Sequence, residues 1–176
     1  MNQLFLILFT FSMMNPVTLV DFSSGSSLSQ WVIINDGVMG GKSQSKIYLN
    51  DAGNAVLSGD VSLENYGGFA SVRYQFEQIP IAGYENIILY LKGDGKKYQF
   101  RVKAELSDRH SYISYFETSG EWQQIEIPLN KMFASFRGQK LNIPDFAAET
   151  IAEISVLIGN ETAESFALEI SKIELK

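Results

Sequence analysis

The sequence predicts an all-β protein, an antiparallel sandwich or jelly roll, and three observations carry that expectation. Short runs with a period of two, rich in β-branched and aromatic residues, recur along nearly the whole chain. Turn residues punctuate them at short intervals. No long stretch repeats its apolar residues at the spacing of an amphipathic helix. The 176 residues, 45% hydrophobic and 19% charged, suit one folded domain with a sizeable core.

The elements follow in order. Residues 17–22 and 31–34 are the first two expected strands, and residues 43–49 (SQSKIYL) the third. Asn50-Asp51-Ala52-Gly53-Asn54 is a turn leading into Ala55, Val56 and Leu57 and on toward Leu63. In residues 69–76, Ala70, Val72, Tyr74 and Phe76 share one face, and Ser71, Arg73 and Gln75 the other. Residues 87–91 are an apolar run closed by Gly93-Asp94-Gly95. Residues 98–106 give the cleanest alternation: Tyr98, Phe100, Val102, Ala104 and Leu106 against Gln99, Arg101, Lys103 and Glu105. Residues 112–116, 122–127 and 154–158 continue the series. In the last strand Phe166, Leu168 and Ile170 keep one parity, and Ile173 and Leu175 take the other. One extra residue near Ser171-Lys172, a β-bulge, returns both sets to the core. A short helical turn is expected over residues 144–149, opened by Pro144.

Residues 1–16 stand apart. The apolar run at 4–14 (LFLILFTFSMM) has signal-peptide length and is too short to span a bilayer, so no stable membrane span is expected. No Lys or Arg precedes it and no small-x-small cleavage site follows, while Met13 and Met14 offer alternative starts. Export and a cytosolic address both stay open. Residues 17–176 make up the single expected domain.

Composition excludes several function classes. The net charge of −6 lacks the basic footprint of nonspecific nucleic-acid binding. There is no cysteine, hence no disulfide, thiol nucleophile or thiolate metal site. His110 is the single histidine, so zinc has few ligands, and a Ser-His-Asp hydrolase would have to use it. No Gly-x-Ser-x-Gly elbow is present, and His110 reads as a solvated loop residue. No catalytic set, cofactor or resident metal is expected. Asp21 and Glu169 would offer calcium oxygen ligands if the first and last strands adjoin.

Residues 35–45, NDGVMGGKSQS, raise a sharper question, because Gly41-Lys42-Ser43 resembles the end of a phosphate-binding loop. That pattern needs a glycine at position 36, where Asp36 stands, and a helix after it, where a strand follows. The nucleotide reading fails. Asp36 and Asp94, each beside glycine, are the best candidates for paired catalytic carboxylates. They equally suit the capping of turns. Arg73 and Arg101 lie on the polar faces of two well-patterned strands. Side by side they would bind a carboxylate or other polar ligand in the guanidinium fork; otherwise they pair with Glu64, Glu105 or Asp94. Trp31 and Trp122 would stack a sugar ring or fill the core.

The block Trp31-x-x-x-Asn35-Asp36-Gly37-Val38-Met39-Gly40-Gly41-x-Ser43 resembles the signature of the complex I intermediate-associated protein family. The resemblance continues through Gly67-Gly68-Phe69-Ala70-Ser71-Val72-Arg73 and Gly93-Asp94-Gly95-Lys96-Lys97-Tyr98. It extends to Gly120-Glu121-Trp122, Ile127-Pro128 and Phe136-Arg137-Gly138, in the expected order. It implies a galactose-binding-like sandwich and a non-enzymatic assembly chaperone for NADH:ubiquinone oxidoreductase, with respiratory-complex subunits as protein partners. A bacterial single-domain member fits best, since residues 1–16 contain no arginine of a mitochondrial presequence. Glu164-Ser165-Phe166 departs from the Gly-Pro-Phe that relatives carry before the last strand. The fold also admits a second function, a carbohydrate or small-ligand module using Arg73, Arg101 and nearby aromatic residues.

The loop itself reads as a rigid corner beside a binding surface. Gly37, Gly40 and Gly41 allow positive φ and close approach, and Asp36 accepts the N–H groups such a turn exposes. Val38 or Met39 is expected to plug the sandwich end. Gly67-Gly68 and Gly93-Asp94-Gly95 complete the corner, so the candidate surface comprises Trp31, Asn35, Asp36, Gly37, Met39, Gly40, Gly41, Gly68, Arg73, Asp94 and Arg101.

Overall fold

A computed structural model describes residues 15–25 and 27–176. The leader-like run at residues 4–14 lies outside the described residues. Among the described residues thirteen strands occur: β1 (Val17–Asp21), β2 (Trp31–Ile33), β3 (Gln44–Leu49), β4 (Ala55–Val61), β5 (Ala70–Pro80), β6 (Asn86–Lys92) and β7 (Lys97–Lys103). β8 (Ser111–Glu117), β9 (Trp122–Pro128), β10 (Phe133–Phe136), β11 (Gln139–Lys140), β12 (Thr150–Ile158) and β13 (Glu164–Leu175) complete them. Helical structure among the described residues is confined to short 3-10 turns, such as Asp36–Met39 and Glu64–Tyr66. No helix among them is long and apolar enough to cross a membrane.

The strands form two antiparallel sheets. One has six strands, in the order β3-β4-β13-β6-β9, with β1 alongside β13. The other has seven, in the order β11-β10-β8-β7-β12-β5-β2. The alternation predicted for residues 69–76 and 98–106 gives the seven-stranded sheet, which holds both, its apolar inner face. Val72, Phe100, Val102, Ile154 and Val156 point inward from the seven-stranded sheet and meet Leu57, Ile87, Leu89, Leu168 and Ile173 from the other. Each such side chain is at most 1% exposed, and full burial of one contributes about 1.5–3 kcal/mol. The fold is an all-β, galactose-binding-like sandwich.

The bulge expected near Ser171-Lys172 is present: the β13–β6 register shifts between Ile170 and Lys172, and Ile173 and Leu175 return to the core. Two expectations fail. The helical turn over residues 144–149 is absent. Phe146 donates its N–H to Met132 O (2.8 Å) and Glu149 accepts from Ile81 N (2.9 Å), so the segment's backbone pairs with its neighbours instead of with itself. Phe146, 4% exposed, is drawn into the core against Tyr112. The strand expected to reach residue 106 ends at Lys103, because Asp108 turns the chain, its carboxylate accepting the Glu105 N–H (3.1 Å). Leu106 consequently stands half exposed.

Candidate functional site

Asp36 is the centre of the glycine-loop corner and is 1% exposed. Its Oδ1 accepts the Ser43 N–H (2.9 Å). Its Oδ2 accepts the Ser43 hydroxyl and the N–H groups of Gly68 (2.7 Å) and Phe69 (3.3 Å). Both carboxylate oxygens are therefore taken by the chain itself. Burial pushes the Asp36 carboxyl upward, but the donors of Ser43, Gly68 and Phe69 outweigh it and hold its pKa below the ordinary carboxylate value. Ser43 extends the network, its hydroxyl accepting from Ser62 N at 2.9 Å. Asn35, next door, accepts from the Ser45 hydroxyl (2.8 Å) and Ser71 N (3.3 Å), tying β3 to β5. The corner joins two loops, between β2 and β3 and between β4 and β5, through side-chain oxygens.

The glycines divide by task. Gly40 closes the 3-10 turn at φ 94°, a left-handed conformation that side chains resist. A Cβ on Gly41 would lie 2.4 Å from Asp36 Cγ. Gly37 has neither a positive φ nor a close neighbour, contrary to expectation. The apolar pair does not plug the sandwich either. Val38 is 72% and Met39 63% exposed, because the carboxylate fills the space beneath the turn. On the adjoining loop, which Asp36 holds through Gly68, Leu63 is 47% and Tyr66 97% exposed. Asn65 and Tyr66 both adopt positive φ, 55° and 61°, a costly backbone for residues with side chains.

The other predicted residues fall in three places. Trp31 belongs to the core and not to a surface: it is 7% exposed and stacks on Tyr74 with ring centroids 5.0 Å apart. Asp94 builds a separate junction. Its Oδ1 accepts the Tyr98 hydroxyl (2.9 Å), and its Oδ2 takes Lys96 Nζ (3.0 Å) and Ala167 N (3.0 Å), which ties β7 to β13 across the sandwich. Burial raises the Asp94 carboxyl and these donors, Ala167 first, bring it below the usual value. Burial, then the Asp94 charge, drive the Tyr98 phenol far above its ordinary value. Asp36 and Asp94 thus spend their carboxylates on structure.

Arg73 and Arg101 do come together on the outer face of the seven-stranded sheet. Both pair in register with Ser155, one strand to each side. Neither bonds Glu64, Glu105 or Asp94. The carboxylate between them is Glu153, 2% exposed, 4.0 Å from Arg73 Nε and bonded to Gln75 Nε2 at 2.7 Å. Glu153 was the missed residue, and an acid inside the apolar run TIAEISVLI is the signal that marks it. Tyr115 and Phe133, farther along this face, have ring centroids 6.3 Å apart.

Two further expectations change. His110 lies in a bend and is only partly exposed: it packs edge-on against Tyr112, and its Nε2 is buried without a hydrogen-bond partner among the described residues. Asp21 accepts from the Ser23 hydroxyl, whereas Glu169 accepts from Asn50 and Asn54, so the calcium pair does not converge. Among the described residues no group of three or more His, Asp or Glu side chains is placed to hold a metal.

The model of the family described as complex I intermediate-associated protein 30 (CIA30) matches residues 20–170. The chain belongs to that family. The mouse mitochondrial complex I intermediate-associated protein 30 is 22% identical over 86% of this chain. The chain spans about half (53%) of that relative's length. Among solved structures, the family 11 carbohydrate-binding module of a Clostridium thermocellum cellulosomal cellulase superposes with a TM-score of 0.67 at 17% identity, covering 93% of this chain and 95% of that one. An agarase superposes with a TM-score of 0.61 at 12% identity, over 93% of this family member and 24% of the agarase. At those identities the structures share the fold alone.

Proposed function

We propose that the chain is a non-catalytic interaction module that acts in the assembly of NADH:ubiquinone oxidoreductase by holding a protein partner. The observation that carries this reading is the corner itself. A buried carboxylate with four donors fixes two adjoining loops, and those loops present Val38, Met39, Leu63 and Tyr66 to solvent. Exposed large apolar side chains on a rigid, internally bonded frame are the composition of a protein–protein contact, where pre-organisation limits the entropy lost on binding. The Asp36 and Asp94 carboxylates are committed to backbone and tyrosine donors, and His110 faces an aromatic ring, which supports a binding role over acid–base chemistry. Family membership supports respiratory-complex subunits as the partner class.

The test is deletion of the gene in the native host followed by native-gel separation of membrane complexes. Accumulation of incomplete oxidoreductase, reversed by the wild-type chain, is the expected result. Normal assembly in the deletion strain overturns the reading.

A carbohydrate-binding role at the outer sheet face is the second reading. It is favoured by a polar face that carries Gln99 beside Tyr115, with Arg73 and Gln75 farther across the same sheet, and the matched carbohydrate-binding module shares this fold. Glycan-array binding lost on Arg73→Ala would establish it, and silence across the array would retire it.

A further inference from the structure

On the outer face of the seven-stranded sheet, two guanidinium groups share one carboxylate and are not satisfied by it. Arg73 reaches Glu153 only at 4.0 Å, while Gln75 occupies the other Glu153 oxygen at 2.7 Å. Arg101 makes one long bond, Nη1 to Gln99 Oε1 at 3.5 Å, and forms no ion pair among the described residues. Each guanidinium carries five N–H donors in a fixed fork, so most donors on this face are left for something outside the chain. Arg73, Arg101 and Lys103, the last in register with Glu153, outnumber that one carboxylate within a protein whose net charge is −6. Burial, and then the like charge of Arg73, press Arg101 below its ordinary pKa, with Glu153 opposing them. An added anion would relieve that strain.

Ser155, 4% exposed, pairs in register with both arginines, and its short neutral side chain offers no charge to match theirs. A carboxylate there accepts the forked guanidinium donors in planar, bidentate geometry. Next along the face, Lys97 lies over the Tyr115 ring (4.2 Å) and Lys140 over the Phe133 ring (4.8 Å). Ammonium groups thus occupy one face of each ring on which a sugar would stack, and they add positive charge for an acidic chain to follow.

We propose that this face docks an acidic segment of a protein partner, one Asp or Glu carboxylate being held between Arg101 and Arg73 over Ser155, with the flanking residues along Tyr115 and Phe133. The proposal rests on the reading of the chain as a protein-binding module.

Calorimetric titration of the full chain with a capped peptide of alternating Glu and Tyr tests it, beside the same peptide carrying Gln for Glu, oligogalacturonate and inorganic phosphate. The expected result is binding of the Glu peptide at least about tenfold tighter than the Gln peptide, as charge-assisted bonds require, and weakening with salt. Arg101→Gln and Ser155→Asp should each lower affinity about tenfold, with circular dichroism unchanged. Ser155→Asp is the decisive variant, since it supplies an internal carboxylate to both arginines without removing either. Equal affinity for the two peptides, indifference to Ser155→Asp, absence of peptide binding, or binding of oligogalacturonate or phosphate instead overturns the proposal. If oxidoreductase assembly is normal without the gene but the Glu peptide still binds as described, the assembly reading falls and this site stands. If assembly depends on the gene yet both variants restore it fully, this site falls and the assembly reading stands.

Discussion

Asp36 shows how much one side chain sets. Four donors converge on its two oxygens, so Asp36→Ala strands buried N–H groups and should cost about 3 kcal/mol, the upper end of that penalty. In a domain of this size the loss lowers the melting temperature by on the order of 10 °C, measurable by calorimetry. Sequence reasoning alone would make Asp36→Asn mild, because an amide oxygen still accepts. The structure reverses that expectation: donors reach both oxygens, and the amide nitrogen must face one of them, so Asn should cost about 1–3 kcal/mol. Met39→Ser should leave the melting temperature unchanged, since the side chain is 63% exposed. The pH dependence has a definite sign. Because the Asp36 and Asp94 pKa values are lowered in the folded state, their contribution is complete above the unfolded carboxylate value of about 3.9 and is lost as pH falls through the folded values. The melting temperature should drop below about pH 4, and less steeply in Asp36→Ala.

Elements were legible where one face is buried and the other wet. β7 alternates as Tyr98, Phe100 and Val102 against Gln99 and Arg101, and the structure buries the first set and turns out the second. The β13 bulge was legible for the same reason, since a parity change has few other causes. The short β10 and β11 were not, because each offers too few residues to display a period. The helical turn at residues 144–149 was misread because Pro144 opens extended segments as readily as helices. At the site, the strand faces placed Arg73 and Arg101 on one surface, but no local pattern reveals that Val38 and Met39 point outward. That depends on Asp36 filling the space beneath them, a contact made with Gly68 from 32 residues away. The junction of β7 with β13 gives a test of its own. Tyr98→Phe removes the hydroxyl of a buried ring from partly buried Asp94 and should cost about 1–2 kcal/mol, with a double-mutant cycle to Asp94→Ala showing strong coupling.

At the scale of the molecule, two matches point different ways and carry different weight. The sandwich is shared with carbohydrate-binding modules, but a fold hosts many functions and the site decides among them. Family membership extends over residues 20–170 and takes in both the corner and the arginine face. On the proposed function, the corner is a frame whose exposed apolar residues meet a protein partner. Capture from native-host membranes with a tagged chain, comparing wild type with the Val38→Ser/Met39→Ser/Tyr66→Ser variant, tests it most directly. The expected result is recovery of oxidoreductase subunits with the wild type and their loss with the triple variant, at an unchanged melting temperature. Equal recovery of those subunits by both proteins would contradict it.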